Sequence, residues 1–486
     1  MINDIYYTGK YEGSDNYDAS WREPYWEALK KEAGGDEEAD RIVDALKRMY
    51  AMYTDDLIKW YANLYDPGTG AYYCTTSGKN NDGFLPDVES TNQAFNFIAS
   101  SGMIDHLGGK FINIMTDEMK KNLTYFIKGM QRPNGYFYNY MKTEEEMNSP
   151  GGGISKRGRE LSWSTSLLGL MGEMPTYDTP NGIKGNGIDK NGNPVSDYVA
   201  NSSDDVKSEE SNNKNYPEYL ENKETMLAYL NETIDIVNKT YPAGNQLNAT
   251  FSQYKARDIA LGTWGTPDSL CLALIEWLNE RIDPKTGFWA HDISFNGANG
   301  FFKVIVLYNS WGYPYPAIER AIESILEVIL GDQPSLNNIC EVYNLWSGLI
   351  SAKHNVEKCY PEDKRQSILD KIYKTMKTRG PEAILNTYKK QSGYQKTDGA
   401  YAHKVDRIEE PTKVITHHGG IPTGFCLEEG DVDAIGKATT GITHAMYEAY
   451  GFKTHVPIYG KADWELYKSI IDSAKPVIKP NTKPLR

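Results

Sequence analysis

Apolar residues recur along most of the chain at the spacing of amphipathic helices. Over residues 38–64 they form one stripe that includes Ile42, Leu46 and Met49, which is typical of a helix with one buried face. No run of alternating strand residues competes with this pattern, so the sequence predicts an all-α fold with short β pieces at most. The same spacing predicts helices over residues 89–101, 116–131, 160–172, 221–239, 266–281, 299–310, 315–330, 339–353, 362–377, 431–450 and 462–474.

Four turns rich in glycine and aromatic residues interrupt the helical pattern. Proline or a polar residue sets each turn, glycine supplies the positive φ that such turns often need, and an aromatic residue leads back toward the body. Each turn follows a predicted helix and leads into another, so we expect helical hairpins whose inner helices begin around a central cleft. The turns read Asp66-Pro-Gly-Thr-Gly-Ala-Tyr-Tyr, Arg132-Pro-Asn-Gly-Tyr-Phe-Tyr, Asp283-Pro-Lys-Thr-Gly-Phe-Trp and Thr397-Asp-Gly-Ala-Tyr-Ala-His.

Two segments depart from the helical pattern. Residues 174–218 are polar and rich in turn residues, with little apolar content to bury, and are predicted to be a surface insertion. Residues 475–486 contain three prolines and are predicted to form an extended C-terminal tail. Because helical patterning resumes unchanged after the insertion, we expect a single domain over residues 1–474.

Composition and charge narrow the function classes. The chain has 66 Asp and Glu against 52 Lys and Arg, which disfavours a general nucleic-acid binder because nothing offsets phosphate repulsion over the whole surface. No apolar stretch approaches the ~20 residues that span a bilayer. No signal peptide is visible, so a cytoplasmic protein is expected, or a secreted one if a leader has been removed. Nothing in the pattern indicates an oligomeric state.

The five cysteines are scattered and form no Cys-x-x-Cys pair. Such spacing predicts reduced, mostly packed thiols rather than disulfides or a zinc site. His417, Glu429 and Asp431 carry groups that can bind a metal, but these residues follow no recognised ligand spacing. The sequence therefore predicts neither a metal nor a cofactor.

Helical hairpins joined by Asp-Pro-x-Thr-Gly-aromatic turns resemble the α/α toroids of carbohydrate-active enzymes, both glycoside hydrolases and polysaccharide lyases. The resemblance covers most of the chain at the level of architecture. It implies an (α/α)6-type toroid with an oligo- or polysaccharide substrate in the central cleft. It does not choose between hydrolysis and elimination.

Two predicted helix beginnings carry acidic groups that suit glycan cleavage. Asp87 and Glu89, with Asn92 behind them, lie where a glycine turn and a proline lead into a helix. Arg159 and Glu160 open a second helix. Glycoside hydrolysis needs one protonated and one ionised carboxyl group, ~5–5.5 Å or ~6.5–9.5 Å apart. The structural alternative is that these residues only cap helices and form surface ion pairs.

Two further segments combine histidine with polar loop residues. His291 and Asn299, followed by Tyr308, suit recognition of sugar hydroxyl groups or a lyase site, although Asn-Gly is also a strong turn signal. His403, and His417 beside paired glycines, precede the acidic residues Glu429 and Asp431 at the start of a predicted helix.

Aromatic residues are candidates for the cleft wall. The chain has 35 Tyr against 13 Phe, and a tyrosine ring with its hydroxyl suits a half-wet surface that contacts sugars. We expect most tyrosines to lie at helix–helix contacts with the ring buried. The aromatic residues considered for substrate binding or catalysis include Tyr138, Tyr140, Trp163, Trp289 and Tyr308.

These observations favour a glycoside hydrolase with its acid and base among Asp87, Glu89 and Glu160. The alternative is a polysaccharide lyase that neutralises a uronate carboxylate with Asn92, Arg159 or His291 and uses Tyr138 or a histidine such as His417 for proton transfer. A glycan-binding protein without catalysis is the non-enzyme alternative. An isoprenoid-processing toroid would need an aspartate-rich motif or zinc ligands facing an apolar chamber, and the sequence shows no aspartate-rich motif.

Overall fold

The structure, a computed structural model, describes residues 17–82, 84–198, 216–331, 338–403 and 429–479. The protein is mostly helical, with 62% helix and 3% strand, which confirms the all-α prediction. None of the helices in these ranges is long and apolar enough to cross a lipid bilayer.

The α-helices follow one another with short connections over most of the described chain. A π-helical turn, Lys437–Gly441, joins two of them, and two short strands, β1 (Tyr65–Asp66) and β2 (Ala71–Tyr72), pair antiparallel. Short 3-10 helices span Ser20–Arg22, Asp105–Leu107, Phe111–Ile114 and Glu218–Leu220. The α-helices are α1 (Glu23–Glu32), α2 (Glu37–Tyr50), α3 (Asp55–Asn63), α4 (Thr76–Asn80), α5 (Val88–Ser100), α6 (Asp117–Lys128), α7 (Glu144–Asn148), α8 (Gly152–Leu170), α9 (Lys223–Thr233), α10 (Thr240–Leu261), α11 (Leu270–Asn279), α12 (Phe295–Trp311), α13 (Ile318–Leu330), α14 (Cys340–Cys359), α15 (Glu362–Ser392), α16 (Val432–Gly436), α17 (Ile442–Tyr450) and α18 (Lys461–Ser473).

Helix α2 shows how the apolar stripe becomes a buried face. Asp36 caps the helix by accepting a hydrogen bond from the Ala39 amide at 2.9 Å, which satisfies one of the amides that a helix start leaves open. Ile42, Leu46 and Met49 are all buried, and the helix packs against α15. The stripe that we predicted as one helix over 38–64 is divided, because α2 ends at Tyr50 and α3 begins at Asp55.

Several helices pack against one another in a defined order. Each helix of the series α5, α8, α10, α12 and α14 packs against the next. Helix α14 also packs against α17, and α5 packs against α16, which the π-helical turn joins to α17. Helices α13 and α15 pack against α14, and α18 packs against α3.

The four predicted turns each connect two helices. Their glycines Gly70, Gly135, Gly287 and Gly399 all have φ between +70° and +82°, a region that only glycine adopts without strain. Three of them, Gly70, Gly135 and Gly287, also lie directly against other backbone. A Cβ at Gly135 would come within 2.1 Å of a carbonyl oxygen, and one at Gly287 within 2.5 Å of a helix amide nitrogen. The turns therefore require glycine for both conformation and close packing.

Tyrosine side chains hold distant parts of the chain together. The Tyr50 hydroxyl donates to the Val456 carbonyl at 2.6 Å, and the Tyr459 hydroxyl donates to the Thr54 carbonyl at 2.9 Å. Tyr50, Val456 and Tyr459 are all buried. This is the helix-contact role that we expected for most tyrosines, in which the buried hydroxyl finds a partner.

The segment from residue 174 onward is described only as far as residue 198. Gln131 anchors its beginning, because its Oε1 accepts hydrogen bonds from the amides of Thr176 and Tyr177 at 2.8 and 3.1 Å. In the tail, the Lys479 ammonium donates to the carbonyls of Gly78 and Asn81 at 2.8 and 2.6 Å. Both segments lie against the helical body where they are described.

Candidate functional site

A cleft lies where the central helices converge. Helices α5, α8, α10, α12 and α14 and the segment from α16 into the π-helical turn all contribute side chains to its wall. The cleft has a volume of about 280 Å³, close to the lower end of the range for small-molecule sites.

Amides and aromatic rings form much of the cleft wall. Gln93, Asn245, Asn248 and Asn344 supply carboxamides, and the aromatic residues of the wall are Trp163, Phe251, Phe302 and Tyr343. Carboxamides can both donate and accept hydrogen bonds. A wall of this kind can bind hydroxyl-rich molecules that also have apolar C–H faces.

Charged residues of the wall are mainly cationic. Arg159, Lys303 and Lys437 line the cleft together with one carboxylate among the described residues, Asp433. Lys437 forms an ion pair with Asp433. Burial lowers the pKa of Lys303 to about 8.

An ionic network is buried beneath the wall. The Lys156 ammonium lies 3.1 Å from Glu89 Oε2 and 2.9 Å from Glu160 Oε1, and these three side chains are at most 2% exposed. Arg159 forms an ion pair with Glu89, and the Asn139 amide donates to Glu160 Oε1 at 3.0 Å. Burial alone would lower the pKa of Lys156, but the charges of Glu160 and Glu89 outweigh it and raise that pKa.

The two predicted acidic groups come together, but the prediction that Arg159 and Glu160 open a helix was wrong, because α8 begins at Gly152 and both residues lie about two turns inside it. Asp87 and Glu89 start α5, Glu160 lies on α8, and the charges of all three act on Lys156. Asp87 caps α5, since the Ser90 amide donates to its Oδ1 at 2.8 Å. None of these three carboxylates is among the residues that line the cleft in the described chain. Their catalytic roles therefore stay predictions.

Arg159 and Trp163 are the predicted binding residues that reach the cleft. The Arg159 guanidinium lies 4.7 Å from the Trp163 ring centroid, a distance at which a cation is attracted to the ring face. The Glu89 carboxylate forms an ion pair with this guanidinium. Asn92 is half-buried on α5, and its neighbour Gln93 lines the cleft instead.

Comparisons with protein-family models, with curated proteins and with solved structures gave no match.

Several predicted aromatic residues serve the framework. The hydroxyl of Tyr138 donates to Asn148 Oδ1 at 3.2 Å, and that of Tyr140 donates to the Phe126 carbonyl at 3.1 Å. The Trp289 indole donates to the Leu278 carbonyl at 2.9 Å, and Tyr308 donates to Asn279 Oδ1 at 2.7 Å. The cleft wall of the described chain does not include these four aromatic residues. The residues concerned are Tyr138, Tyr140, Trp289 and Tyr308.

The predicted polar loop residues are divided between surface and interior. His291 is exposed and lies 2.7 Å from Asp283 Oδ2 across its own turn, where this contact, above all, lowers the pKa of Asp283. Asn299 is buried on α12. The Ser77 amide donates to Glu429 Oε2 at 2.8 Å, and burial raises the pKa of Glu429. His417 lies outside the described residues.

Asp431 and His403 meet beside the cleft. Asp431 caps α16 by accepting from the Ala434 amide at 2.9 Å, and its other oxygen accepts from the His403 amide at 2.5 Å. Burial, followed by the charge of Asp433, raises the pKa of Asp431 to about 7. The Ile339 amide donates to the His403 carbonyl at 2.9 Å. Asp431 thus acts as a structural link that brings His403 to the beginnings of α14 and α16.

Three possible metal ligands result from this link. The ligand atoms of Cys340, His403 and Asp433 all lie within 4.8 Å of one another, and all three residues are buried. Burial raises the pKa of Cys340 to about 11. Cys340 and Asp433 also line the cleft.

Sequence reasoning missed most of the cleft wall. Helix α10 was not predicted at all, although it supplies Asn245 and Asn248. Neither Lys303 nor Asn344 was among the predicted site residues. The available signal was the run of amide and small residues in α10, which a search for apolar stripes passes over.

Proposed function

We propose that the protein is a carbohydrate-active enzyme that binds an acidic glycan in the central cleft and cleaves it by β-elimination. The observation that carries this proposal is the cleft wall itself. It combines carboxamides and aromatic rings with three cations against one carboxylate among the described residues.

We further propose that the central helices form the inner layer of an (α/α)6-type toroid. The packing order supports this, because the series from α5 to α14 continues through α17 and α16 back to α5. In such an arrangement all six inner segments reach one hollow. The contribution of all six to the cleft wall agrees with it.

The charge of the wall favours an anionic substrate over a neutral one. The protein as a whole has a net charge of −14, so the positive charge of the cleft wall is opposite in sign to the net charge of the chain. Lys303 makes no ion pair with any described residue, while Arg159 and Lys437 each pair with one carboxylate. A cation in a cleft with low-dielectric walls attracts an anionic ligand.

Asn344 adds a second reason to expect a polar ligand. Its side chain is 1% exposed and lines the cleft, and neither its amide nitrogen nor its oxygen has a hydrogen-bond partner among the described residues. Leaving a buried polar group unsatisfied costs about 1–3 kcal/mol. A sugar hydroxyl or carboxylate in the cleft would satisfy both atoms.

The proposed reaction follows from these groups. Arg159, positioned by Glu89, and Asn344 bind the uronate carboxylate and so acidify the proton on the adjacent carbon. Tyr343, which lines the cleft, takes that proton in its deprotonated form and, now a neutral phenol, delivers it to the leaving glycosidic oxygen. The C–O bond breaks as a carbon–carbon double bond forms, so no water is consumed.

The experiment measures products from acidic and neutral glycans. Polygalacturonate, alginate and glycosaminoglycans are compared with neutral polysaccharides, and near-ultraviolet absorbance of the unsaturated product is recorded beside reducing ends. We expect absorbing product from an acidic glycan only, lost in Tyr343→Phe and kept in Tyr125→Phe, a control on the exposed surface. The same absorbance from Tyr343→Phe would remove the tyrosine from the mechanism.

Glycoside hydrolysis is the second candidate. It is favoured by the convergence of Asp87, Glu89 and Glu160 on Lys156, because hydrolysis needs paired carboxyl groups. Reducing ends without the absorbing product would favour it over elimination. A glycan that raises the melting temperature and is never cleaved would identify a binding protein, and no effect of any glycan would refute all three.

A further inference from the structure

We propose that Cys340, His403 and Asp433 bind one divalent cation of the zinc class at the edge of the cleft. Their ligand atoms lie within 4.8 Å of one another, and His403 Nδ1 lies 3.7 Å from Asp433 Oδ2. Zinc–ligand bonds of about 2.0–2.3 Å in a tetrahedron place neighbouring ligand atoms roughly 3.3–3.8 Å apart. One edge of the triangle already has this length, and the other two, at 4.8 Å or less, need a closure of at most about 1.0–1.5 Å.

The three ligands are held in place by the fold. His403 is fixed through its backbone, which bonds to the Ile339 amide on one side and to the Asp431 carboxylate on the other. Cys340 begins α14, and Asp433 lies in the first turn of α16, which Asp431 caps. The side chains are 1%, 6% and 1% exposed for Cys340, His403 and Asp433. Ligands held by backbone contacts need little reorganisation when a cation binds.

The donor set selects the class of metal. Thiolate sulfur and imidazole nitrogen suit zinc and its neighbours, whereas calcium and magnesium prefer oxygen alone. A thiolate and a carboxylate together carry two negative charges, which equals the charge of one divalent cation, and the Asp433 carboxylate also forms an ion pair with Lys437. Gln93 Nε2 donates to Asp433 Oδ1 at 3.1 Å. Such outer contacts orient a ligating carboxylate.

The position of the cluster leaves one side open to ligand. Cys340 and Asp433 line the cleft, and three protein ligands leave a fourth position of a tetrahedron for water or a substrate oxygen. A contact between the cation and a glycan rests on the proposed function, whereas binding of the cation to its three ligands does not. The cleft next to the site is polar and cationic, which does not match the apolar chamber that an isoprenoid substrate would need.

The test measures metal binding in the absence of any glycan. The full chain is stripped with a chelator and dialysed, then titrated with Zn²⁺ or Co²⁺. We expect one metal ion per chain by elemental mass spectrometry after gel filtration, and a thiolate-to-cobalt charge-transfer band in the near ultraviolet. Absence of that band in the wild-type protein, or of stoichiometric metal, would overturn the proposal.

Variants locate the site. Cys340→Ser should lose the charge-transfer band and His403→Gln should lose stoichiometric metal, whereas Cys359→Ser, at the far end of the same helix α14, should keep both. A band that persists in Cys340→Ser would assign the metal to another thiol and refute the site. Circular dichroism of each variant checks its fold. Glycan cleavage is assayed separately, so failure of the proposed function leaves the metal count unchanged.

Discussion

Replacing Lys156 by methionine tests whether the buried network is held together by charge. The side chains of Lys156, Glu89 and Glu160 are at most 2% exposed, and one ammonium serves both carboxylates. Methionine fills a similar volume without the charge. The substitution leaves Glu160 with the Asn139 amide and Glu89 with Arg159.

The expected cost is large because the carboxylates stay buried. Removing one partner of a buried ion pair costs about 3–5 kcal/mol, whereas the total stability of a typical domain is about 5–15 kcal/mol. We therefore expect Lys156→Met to lose about 3–5 kcal/mol in urea unfolding followed by circular dichroism. Adding Glu160→Gln to this variant should recover part of the loss, because it removes one of the two buried charges.

A surface pair provides the matched control. Lys371 lies 2.8 Å from Glu319, but the two side chains are 64% and 41% exposed. Lys371→Met should cost far less than Lys156→Met, because both of its charged groups stay in contact with water. If Lys156→Met behaves like this control, the network is not a source of stability, and the argument that Glu89 fixes Arg159 in the cleft wall fails with it.

Three further predictions concern the turns, the pH dependence of stability and the cleft. Gly287→Ala should destabilise the folded protein by about 2–4 kcal/mol, because φ is +70° and the new Cβ would lie 2.5 Å from the Ala321 amide nitrogen. Gly312 has a similar φ and nothing within 4 Å of the position of a Cβ. Gly312→Ala should therefore cost only about 1 kcal/mol in the same thermal unfolding assay. Burial lowers the pKa of His444 to about 4, below its unfolded value of about 6.5. Up to about 3 kcal/mol of stability is therefore present above pH 6.5 and is lost as pH falls toward 4. In urea titrations the free energy of unfolding of His444→Gln should depend less on pH than that of the wild type, and an equal pH dependence would contradict this. Asn344→Leu should raise stability by about 1 kcal/mol yet weaken binding of an acidic oligosaccharide about tenfold by calorimetry, and equal binding would remove the amide from the ligand site.

The sequence predicted those helices that have one apolar and one polar face. The stripe of α2 is an example, and its predicted residues are buried. Helix α10 was missed because its inner face carries Asn245 and Asn248 toward the cleft, so that polar residues occupy the side where an apolar stripe is expected. Helix α10 thus builds the site, whereas α1, which the sequence pattern also missed, does not line the cleft.

The site itself was predicted only where the signal is local. Arg159 and Trp163 lie one turn apart and were recognised together, and both reach the cleft. The convergence of Glu89 with Glu160 was expected, but their complete burial depends on Lys156, one turn before Glu160, whose inward direction no local pattern reveals. Asp433 can be recognised as a possible metal ligand only when the fold places it next to Cys340, which lies far away in the chain.

The contact between α3 and α18 bears on how the protein is synthesised. Residues that meet near this contact, such as Tyr50 with Val456 and Thr54 with Tyr459, lie at opposite ends of the described chain. A ribosome releases the early helices long before the late ones exist, and native pairings over such separations form slowly. The apolar surface of α3 therefore stays without its partner until α18 has been synthesised, and over that time it is exposed to aggregation.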